Sequence, residues 1–309
     1  MPHKTQVIVN PESNKGRTRR RWSEIKSALR GFFKEFRYDF TEKPFQAADM
    51  AREAIKSGSD LIIGVGGDGT MNEIANGFFE KGRVINPDSA LGVVPSGTGC
   101  DFTKSLNLPS DVKSALKVIA GSDRKKIDVG RAAYTAPSGR TEQRFFLNVA
   151  DFGFGGEVVR EVNRKRLERR ASSYFRCLYT TALTYRNKRL KLKMDGRELP
   201  AGDYMIGAVA NGRIFGKGMK ISPRAELDDG LLDFVLVRGM KIMEFLLHSW
   251  RIYLGTHLSH PKIDFYRSRV VEAEPENRDD DVAIEIDGEQ VGRLPAVFEV
   301  LPLSMSVKG

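Results

Sequence analysis

The sequence predicts an α/β domain followed by a mostly antiparallel β domain. Three observations carry this reading. Leu61–Val65 and Ala90–Val94 are short and apolar throughout, the pattern of strands covered on both faces in a parallel sheet. Each runs straight into a glycine-rich turn, Gly66-Gly67-Asp68-Gly69-Thr70 after the first and Pro95-Ser96-Gly97-Thr98-Gly99-Cys100 after the second. Beyond residue 130 the texture changes to strand candidates separated by turn residues, as in a sandwich. The 309 residues suffice for two domains of about 150 residues each.

The elements follow in order. Gln6–Val9 is a strand ending at Asn10-Pro11. Arg20–Phe36 has helical spacing, with Trp22, Ile25, Leu29 and Phe32/Phe33 on one side. Ala47–Lys56, Met71–Glu80 and Asp111–Ala120 are further helices. In the second half, strands are expected at Arg144–Ala150, Leu190–Met194, Tyr204–Ala210, Leu231–Val237, Ile263–Val271, Val282–Ile286 and Ala296–Val300. Helical stretches at Val158–Arg186 and Lys241–Gly255 interrupt them. The boundary falls at Val129–Arg131, giving domains of 1–130 and 131–299. No internal repeat is visible, and acidic Glu272–Asp281 reads as a loop.

Composition narrows the class. With 40% hydrophobic and 29% charged residues, the chain is globular. Its 50 Lys and Arg against 40 Asp and Glu leave a net charge of +10, which suits a polyanionic partner such as a nucleotide or an anionic membrane surface. No nucleic-acid-binding motif accompanies the charge, so nucleic acid is not expected as a partner. Two cysteines, Cys100 and Cys177, cannot form a disulfide framework and point to a reducing compartment. No signal-peptide core is expected, and no apolar run approaches the ~20 residues of a membrane span. The expected location is therefore cytoplasmic.

The two turns carry the strongest local chemistry. Glycine lets a backbone approach an oxyanion closely, and a helix start offers free N–H groups, so strand, turn and helix form a phosphate cradle. Thr70-Met71-Asn72-Glu73 also fits a capping box. The motif is neither a Walker A loop nor GxGxxG, and taken alone it is also an ordinary tight turn. Two such turns after parallel strands would lie at the strands' C-terminal edge, where open α/β sheets bind ligands. Asp287-Gly288, between Val282–Ile286 and Glu289-Gln290-Val291, reads as a hairpin turn.

GGDGT at 66–70, PSGTGCDF at 95–102 and DDGLLD at 228–233 resemble the diacylglycerol kinase catalytic-domain family, to which sphingosine and ceramide kinases are related. The resemblance spans nearly the whole chain, through Asn211–Met219, Pro223-Arg224-Ala225 and Asp287-Gly288-Glu289. It implies a two-domain lipid kinase that uses ATP and Mg²⁺, acts on a lipid substrate and works peripherally at the membrane. It also implies that residues 300–309 rejoin the first domain.

The resemblance assigns roles residue by residue. Asn10, Pro11, Asn14 and Lys15 look like the first nucleotide loop, and Thr41 matches a nucleotide contact. Gly67, Asp68, Gly69, Thr70 and Glu73 would hold the phosphates, with Asp68 near the metal, while Thr98 would reach the nucleotide from the second turn. Asp287 matches the catalytic base, with Glu289 beside it. The Glu226 carbonyl, the Asp229 side chain and the Leu231 carbonyl match a structural magnesium site, a hard-oxygen donor set. Lys15 and Asp128 resemble charged positions that join that site to the nucleotide domain.

The chain departs from the family pattern at Cys100, where Asn is usual, and at Asn14, where Gly is common. A thiol lacks an amide's donors and acceptors, whereas Asn tolerates left-handed backbone. A kinase of a soluble acceptor such as NAD shares GGDGT, and a non-catalytic binder could keep the fold. Three further features are more ambiguous. His257-Leu258-Ser259-His260 lacks the neighbours of a metal site. Arg160–Arg170 is either a solvated helix face or a membrane-facing basic patch. Met240–Leu254, apolar almost all round, is expected to pack in the core, with a share in an acyl-chain pocket as the functional alternative.

Overall fold

A computed structural model describes residues 4–164 and 171–309. The chain divides into two compact units. One holds the residues up to Val129, Leu227–Asp229 and Leu301–Gly309, and the other holds Gly130–Glu226 and Gly230–Val300. The α/β-plus-antiparallel reading of the sequence is observed.

The first unit is built on parallel strands β1 (Thr5–Val9), β2 (Arg37–Phe40), β3 (Leu61–Gly66) and β6 (Ala90–Pro95), in the order β2-β1-β3-β6. A short hairpin, β4 (Phe79–Glu80) and β5 (Arg83–Val84), lies between β3 and β6 in the chain. The helices are α1 (Ser13–Phe32), α2 (Gln46–Lys56), α3 (Asp68–Gly77), α4 (Asp101–Ser105) and α5 (Val112–Gly121). Val7, Val9, Ile63, Val65 and Val94 pack with Ile25 and Leu29 of α1 and Leu116 and Ile119 of α5. Burial of such aliphatic side chains contributes about 1.5–3 kcal/mol each.

Two helices differ from expectation in their bounds. The first helix begins earlier and ends at Phe32, because the chain must turn into β2 at Arg37. Its opening residues Asn14, Lys15 and Gly16 are left-handed, with φ of 53°, 58° and 74°, so regular right-handed helix starts only after them. The helix expected from Met71 starts at Asp68, inside the glycine-rich turn.

The second unit takes in the second half of β7 (Arg124–Thr135), then β8 (Thr141–Phe146), β9 (Val149–Gly153), α6 (Phe154–Arg164) and α7 (Ala171–Thr184). Next come β10 (Lys188–Met194), β11 (Arg197–Glu198), β12 (Gly202–Ala210), β13 (Leu232–Arg238), α8 (Ile242–His248), α9 (Arg251–Leu254) and a 3₁₀ turn, His257–Ser259. It closes with β14 (Ile263–Ser268), β15 (Val270–Pro275), β16 (Ala283–Ile286) and the start of the 20-residue β17 (Glu289–Lys308). In this unit β9 pairs antiparallel with β12 and β16, and β13 with β12 and β14. Phe146, Phe152, Phe234, Leu236, Ile284, Ile286 and Phe298 belong to its core.

The strand expected over Arg144–Ala150 is broken at Leu147-Asn148, where the backbone N–H groups turn towards a side chain instead of a neighbouring strand. Ile263–Val271 likewise divides at Arg269. The core assignment of Met240–Leu254 holds for one face only: Met240 is buried in a core cluster, and Ile242 packs against it. Neither α8 nor α9 buries a residue fully, and Met243, Leu247, Trp250 and Leu254 are 71%, 69%, 58% and 62% exposed. Phe245 and Ile252 pack inwards instead, and two short helices resting on a sheet have only one face to bury. Among the described residues, no helix is long and apolar enough to cross a membrane.

Candidate phosphate-binding loops and carboxylate hairpin

In the first unit, the parallel order sends the ends of β1, β2, β3 and β6 to one edge of the sheet. Asn10–Gly16, Thr41, Gly67–Thr70 and Ser96–Cys100 all leave from this edge. The two glycine-rich turns touch backbone to backbone. A Cβ on Gly97 would stand 2.4 Å from the Gly67 Cα, and one on Gly67 would stand 3.2 Å from the Gly97 Cα and 3.6 Å from the Ser13 Oγ. Only glycine fits Gly97, and three loops converge there.

Side chains tie the loops together. Asn10 Nδ2 donates to Thr70 Oγ1 at 3.0 Å, and Asn10 Oδ1 accepts from the Glu12 N–H at 3.1 Å. The buried Thr18 and Ser96 hydroxyls lie 2.6 Å apart. Asp68 Oδ1 accepts from the Phe102 N–H at 3.0 Å, which fixes the first turn to the start of α4. Glu73 Oε2 accepts from the Ala47 N–H at 3.3 Å, so this carboxylate supports α2. The Thr41 N–H donates to the Val9 carbonyl at 2.9 Å. Pro11 is buried, Asn14 is partly buried, and Lys15 and Thr98 are exposed. Cys100 is left-handed at φ 51°, and burial pushes its thiol pKa up, keeping it protonated.

Glu226, Asp229 and Leu231 lie on one short stretch before β13, turned by Gly230 at φ 72°. Its neighbour Asp228 pairs with Lys125 at 3.0 Å, and the Leu227 carbonyl accepts the Asp128 N–H at 2.5 Å. One carboxylate and two carbonyls are hard donors suited to Mg²⁺. Among the described residues, no group of three or more His, Cys, Asp or Glu side chains can hold a metal. His257 Nε2 donates to the Ile221 carbonyl at 3.0 Å, and His260 Nδ1 accepts the Lys262 N–H at 3.2 Å. Arg160 pairs with Glu157 and Asp281, and Arg164 with Glu161, while residues 165–170 of the basic segment lie outside the described residues.

In the second unit, Asp287 and Gly288 form the two-residue tip between β16 and β17. Their φ values of 46° and 90° meet the type I′ requirement for positive φ at both positions. The Asp287 carboxylate accepts three backbone N–H groups, from Leu147 at 2.8 Å, Asn148 at 3.0 Å and Val149 at 3.0 Å. This is what interrupts the strand between β8 and β9. Asn211 Nδ2 holds the same stretch through the Leu147 carbonyl at 2.9 Å.

Two residues escaped the sequence reading. Asp151 on β9 and Glu285 on β16 are register partners directly behind the tip. An acid inside each of two apolar strands, Val149–Gly153 and Ala283–Ile286, was the available signal. Glu285 Oε1 accepts the Gly288 N–H at 2.7 Å.

A parallel sheet with paired glycine turns at its C-terminal edge is a phosphate-binding arrangement. Residues 4–132 match the diacylglycerol kinase catalytic domain, and residues 148–309 match the YegS C-terminal NAD kinase beta sandwich-like domain. The chain belongs to the diacylglycerol kinase catalytic-domain family of kinases. The diacylglycerol kinase of Staphylococcus saprophyticus is 26% identical over 299 residues, spanning 96% of this chain and 92% of that protein. One from Staphylococcus aureus is 27% identical over 299 residues, spanning 96% and 90%. Among solved structures, a diacylglycerol kinase from Bacillus anthracis matches with TM-score 0.72 at 23% identity, covering 99% of this chain and 96% of that one. An NAD kinase from Archaeoglobus fulgidus in complex with ATP matches at TM-score 0.52 and 14% identity, covering 99% and 93%. These two likenesses concern the fold.

Proposed function

We propose that this chain transfers the γ-phosphoryl group of ATP to the hydroxyl of a lipid of the diacylglycerol type. The observation that carries the reading is the backbone contact of Gly67 with Gly97 at the sheet's C-terminal edge, which brings two sets of turn N–H groups together for phosphate. Asn10, Pro11, Asn14, Lys15, Thr41, Gly67, Asp68, Gly69, Thr70, Glu73 and Thr98 form the ATP site. In it, Asp68 and Glu73 act by holding the turn and α2 in register. Bound Mg²⁺ would supply neutralisation of phosphate charge, and Glu226, Asp229 and Leu231 would hold a structural Mg²⁺ through their oxygens.

In the reaction the bond from the γ-phosphorus to the β-phosphate oxygen breaks. A bond to the lipid oxygen forms, the hydroxyl proton passes to a carboxylate, and ADP leaves. The hairpin tip supplies that carboxylate. Asp287 is the residue assigned by resemblance, but its three N–H bonds stabilise the ionised form and make it a weak proton acceptor. We give Asp287 the task of fixing the tip and Glu289, two residues on, the task of accepting the proton. Glu289→Gln should then lower kcat while ATP binding is retained, whereas Asp287→Asn should impair folding and turnover together.

Exposed Met243, Leu247, Trp250 and Leu254, spaced along α8 and α9, support peripheral contact with an anionic membrane. Lys241 is exposed at the start of α8, and Lys220, also exposed, donates its backbone N–H to Ile252 of α9. NAD is the second acceptor to consider, because the fold is shared with an NAD kinase. The test is radiolabelled γ-phosphate ATP with Mg²⁺, mixed-lipid vesicles and NAD in parallel. A labelled lipid supports the reading. Labelled NADP alone, or no product despite ATP binding, overturns it.

A further inference from the structure

The tip that carries Asp287 and Glu289 rests on a buried acid pair. Asp151 and Glu285 stand opposite each other on β9 and β16, so their side chains share one face of the sheet, and they are 2% and 7% exposed. The start of α6 closes over them. A Cβ on Gly155 would lie 2.5 Å from both Asp151 carboxylate oxygens, and one on Gly156 would lie 2.4 Å from the Ala283 carbonyl. Glu285 Oε1 accepts the Gly288 N–H, so the pair is linked directly to the tip. Asp151 Oδ1 is fully buried with no donor in reach of a hydrogen bond while both groups are ionised.

Two carboxylates on facing register positions in a buried site cannot both keep their charge, and one proton between them removes the repulsion and gives Asp151 Oδ1 its partner. Other groups facing the pair do not neutralise it. From α6 come Glu157, held by Arg160, and the Gly156 N–H. From beyond α7 comes the Tyr185 hydroxyl, which donates to the Met205 carbonyl. The tip and β17 bring Asp287, Glu289 and Gln290, and Asp281 and Lys188 lie further out, beside Glu157. Burial and the neighbouring acid push Asp151 well above the usual carboxylate range, and burial raises Glu285 to about 7.

We propose that Asp151 and Glu285 hold one proton in common and act as positioning residues for the Asp287–Glu289 tip. The inference rests on the kinase reading for its consequence, not for its chemistry. With the proton in place, Glu285 keeps the Gly288 N–H and the tip is fixed. When the proton leaves, the two charges repel, and the Gly288 bond cannot be kept without bringing them together. Turnover then falls on the alkaline side.

The test uses the full chain. Infrared difference spectra across a pH series read the protonated carboxyl directly. A carboxyl band persisting to neutral pH and lost in both Asp151→Asn and Glu285→Gln is expected; its absence from the wild type overturns the proposal. Phosphorylation of mixed-lipid vesicles read against pH gives the second measurement. Asp151→Asn and Glu285→Gln, whose amides replace the shared proton permanently, should lose the wild-type alkaline fall. Glu285→Ala should lower kcat/KM by about tenfold at every pH. An unchanged alkaline limb in the two amide variants overturns the positioning role. If no acceptor is phosphorylated, the kinase reading fails separately. Hydrogen exchange at the Gly288 amide then decides: protection in the wild type lost in Glu285→Ala supports the proposal, and equal exchange overturns it.

Discussion

The phosphate edge of the first unit and the hairpin tip of the second hold functional groups in place by opposite means. At the phosphate edge the positioning is done by what is absent. Gly67 and Gly97 lie in contact because neither has a side chain, and the N–H groups that matter belong to the backbone. At the tip the positioning is done by carboxyl groups, with three N–H groups on Asp287 and a fourth on Glu285. The first arrangement is sensitive to volume and indifferent to pH. The second tolerates changes of shape better than changes of protonation.

Substitutions that add volume at the phosphate edge test one half of this contrast. Gly97→Ala puts a methyl group into the Gly67 backbone and is expected to weaken ATP binding by at least about tenfold, measured by titration calorimetry. Gly69→Ala has open space around it, so its melting temperature should stay at the wild-type value. A loss of ATP affinity in that stable variant would mean that the nucleotide itself comes against Gly69. Normal ATP binding by Gly97→Ala would break the volume argument.

At the tip, Asp287→Ala strands three N–H groups in a stretch whose residues are nearly all buried. A loss of about 3 kcal/mol in urea unfolding is expected. A neutral result would mean that the loop at Leu147–Val149 finds other acceptors. The acid pair makes a smaller, signed contribution. Glu285 has its pKa raised on folding, from 4.5 to about 7, so the folded chain binds the proton more tightly than the unfolded one. Below 4.5 both states are protonated and no penalty arises; between 4.5 and about 7 stability falls as pH rises. Glu285→Gln should flatten that part of the stability curve, read as urea midpoints at several pH values.

The smallest stability effect is expected on α8 and α9. Leu247→Ser with Trp250→Ser should stay within about 0.5 kcal/mol of the wild type, because neither side chain is buried. The same pair should lose binding to anionic vesicles in a flotation assay, and unchanged flotation would remove the membrane role from these helices.

What the sequence made legible follows the same division. Strand, glycine turn and helix are consecutive in the chain, so the phosphate edge could be read locally, as could the Asp-Gly hairpin. The break between β8 and β9 could not, because its cause is a side chain 140 residues away. Asp151 and Glu285 become a pair only through the register of two strands, which no local pattern carries. For α8 and α9, apolar composition was visible but not the direction of its exposure. Nothing in periodicity separates a helix sunk in a core from one resting on a sheet with an uncovered face.

Strand β17 belongs to both units. It leaves the tip at Glu289 in the second, and its last residues, Ser306–Lys308, pair in parallel with β6 of the first. The Leu303 N–H donates to Asp128 at 2.7 Å, and Lys308 reaches the Ser122 carbonyl. During synthesis, therefore, the first unit waits for Leu301–Gly309, which are made after the second. Until Ser306–Lys308 leave the ribosome, that edge of β6 is open, the kind of surface that invites pairing with another chain. A gene fragment stopped at Val129 would make that condition permanent.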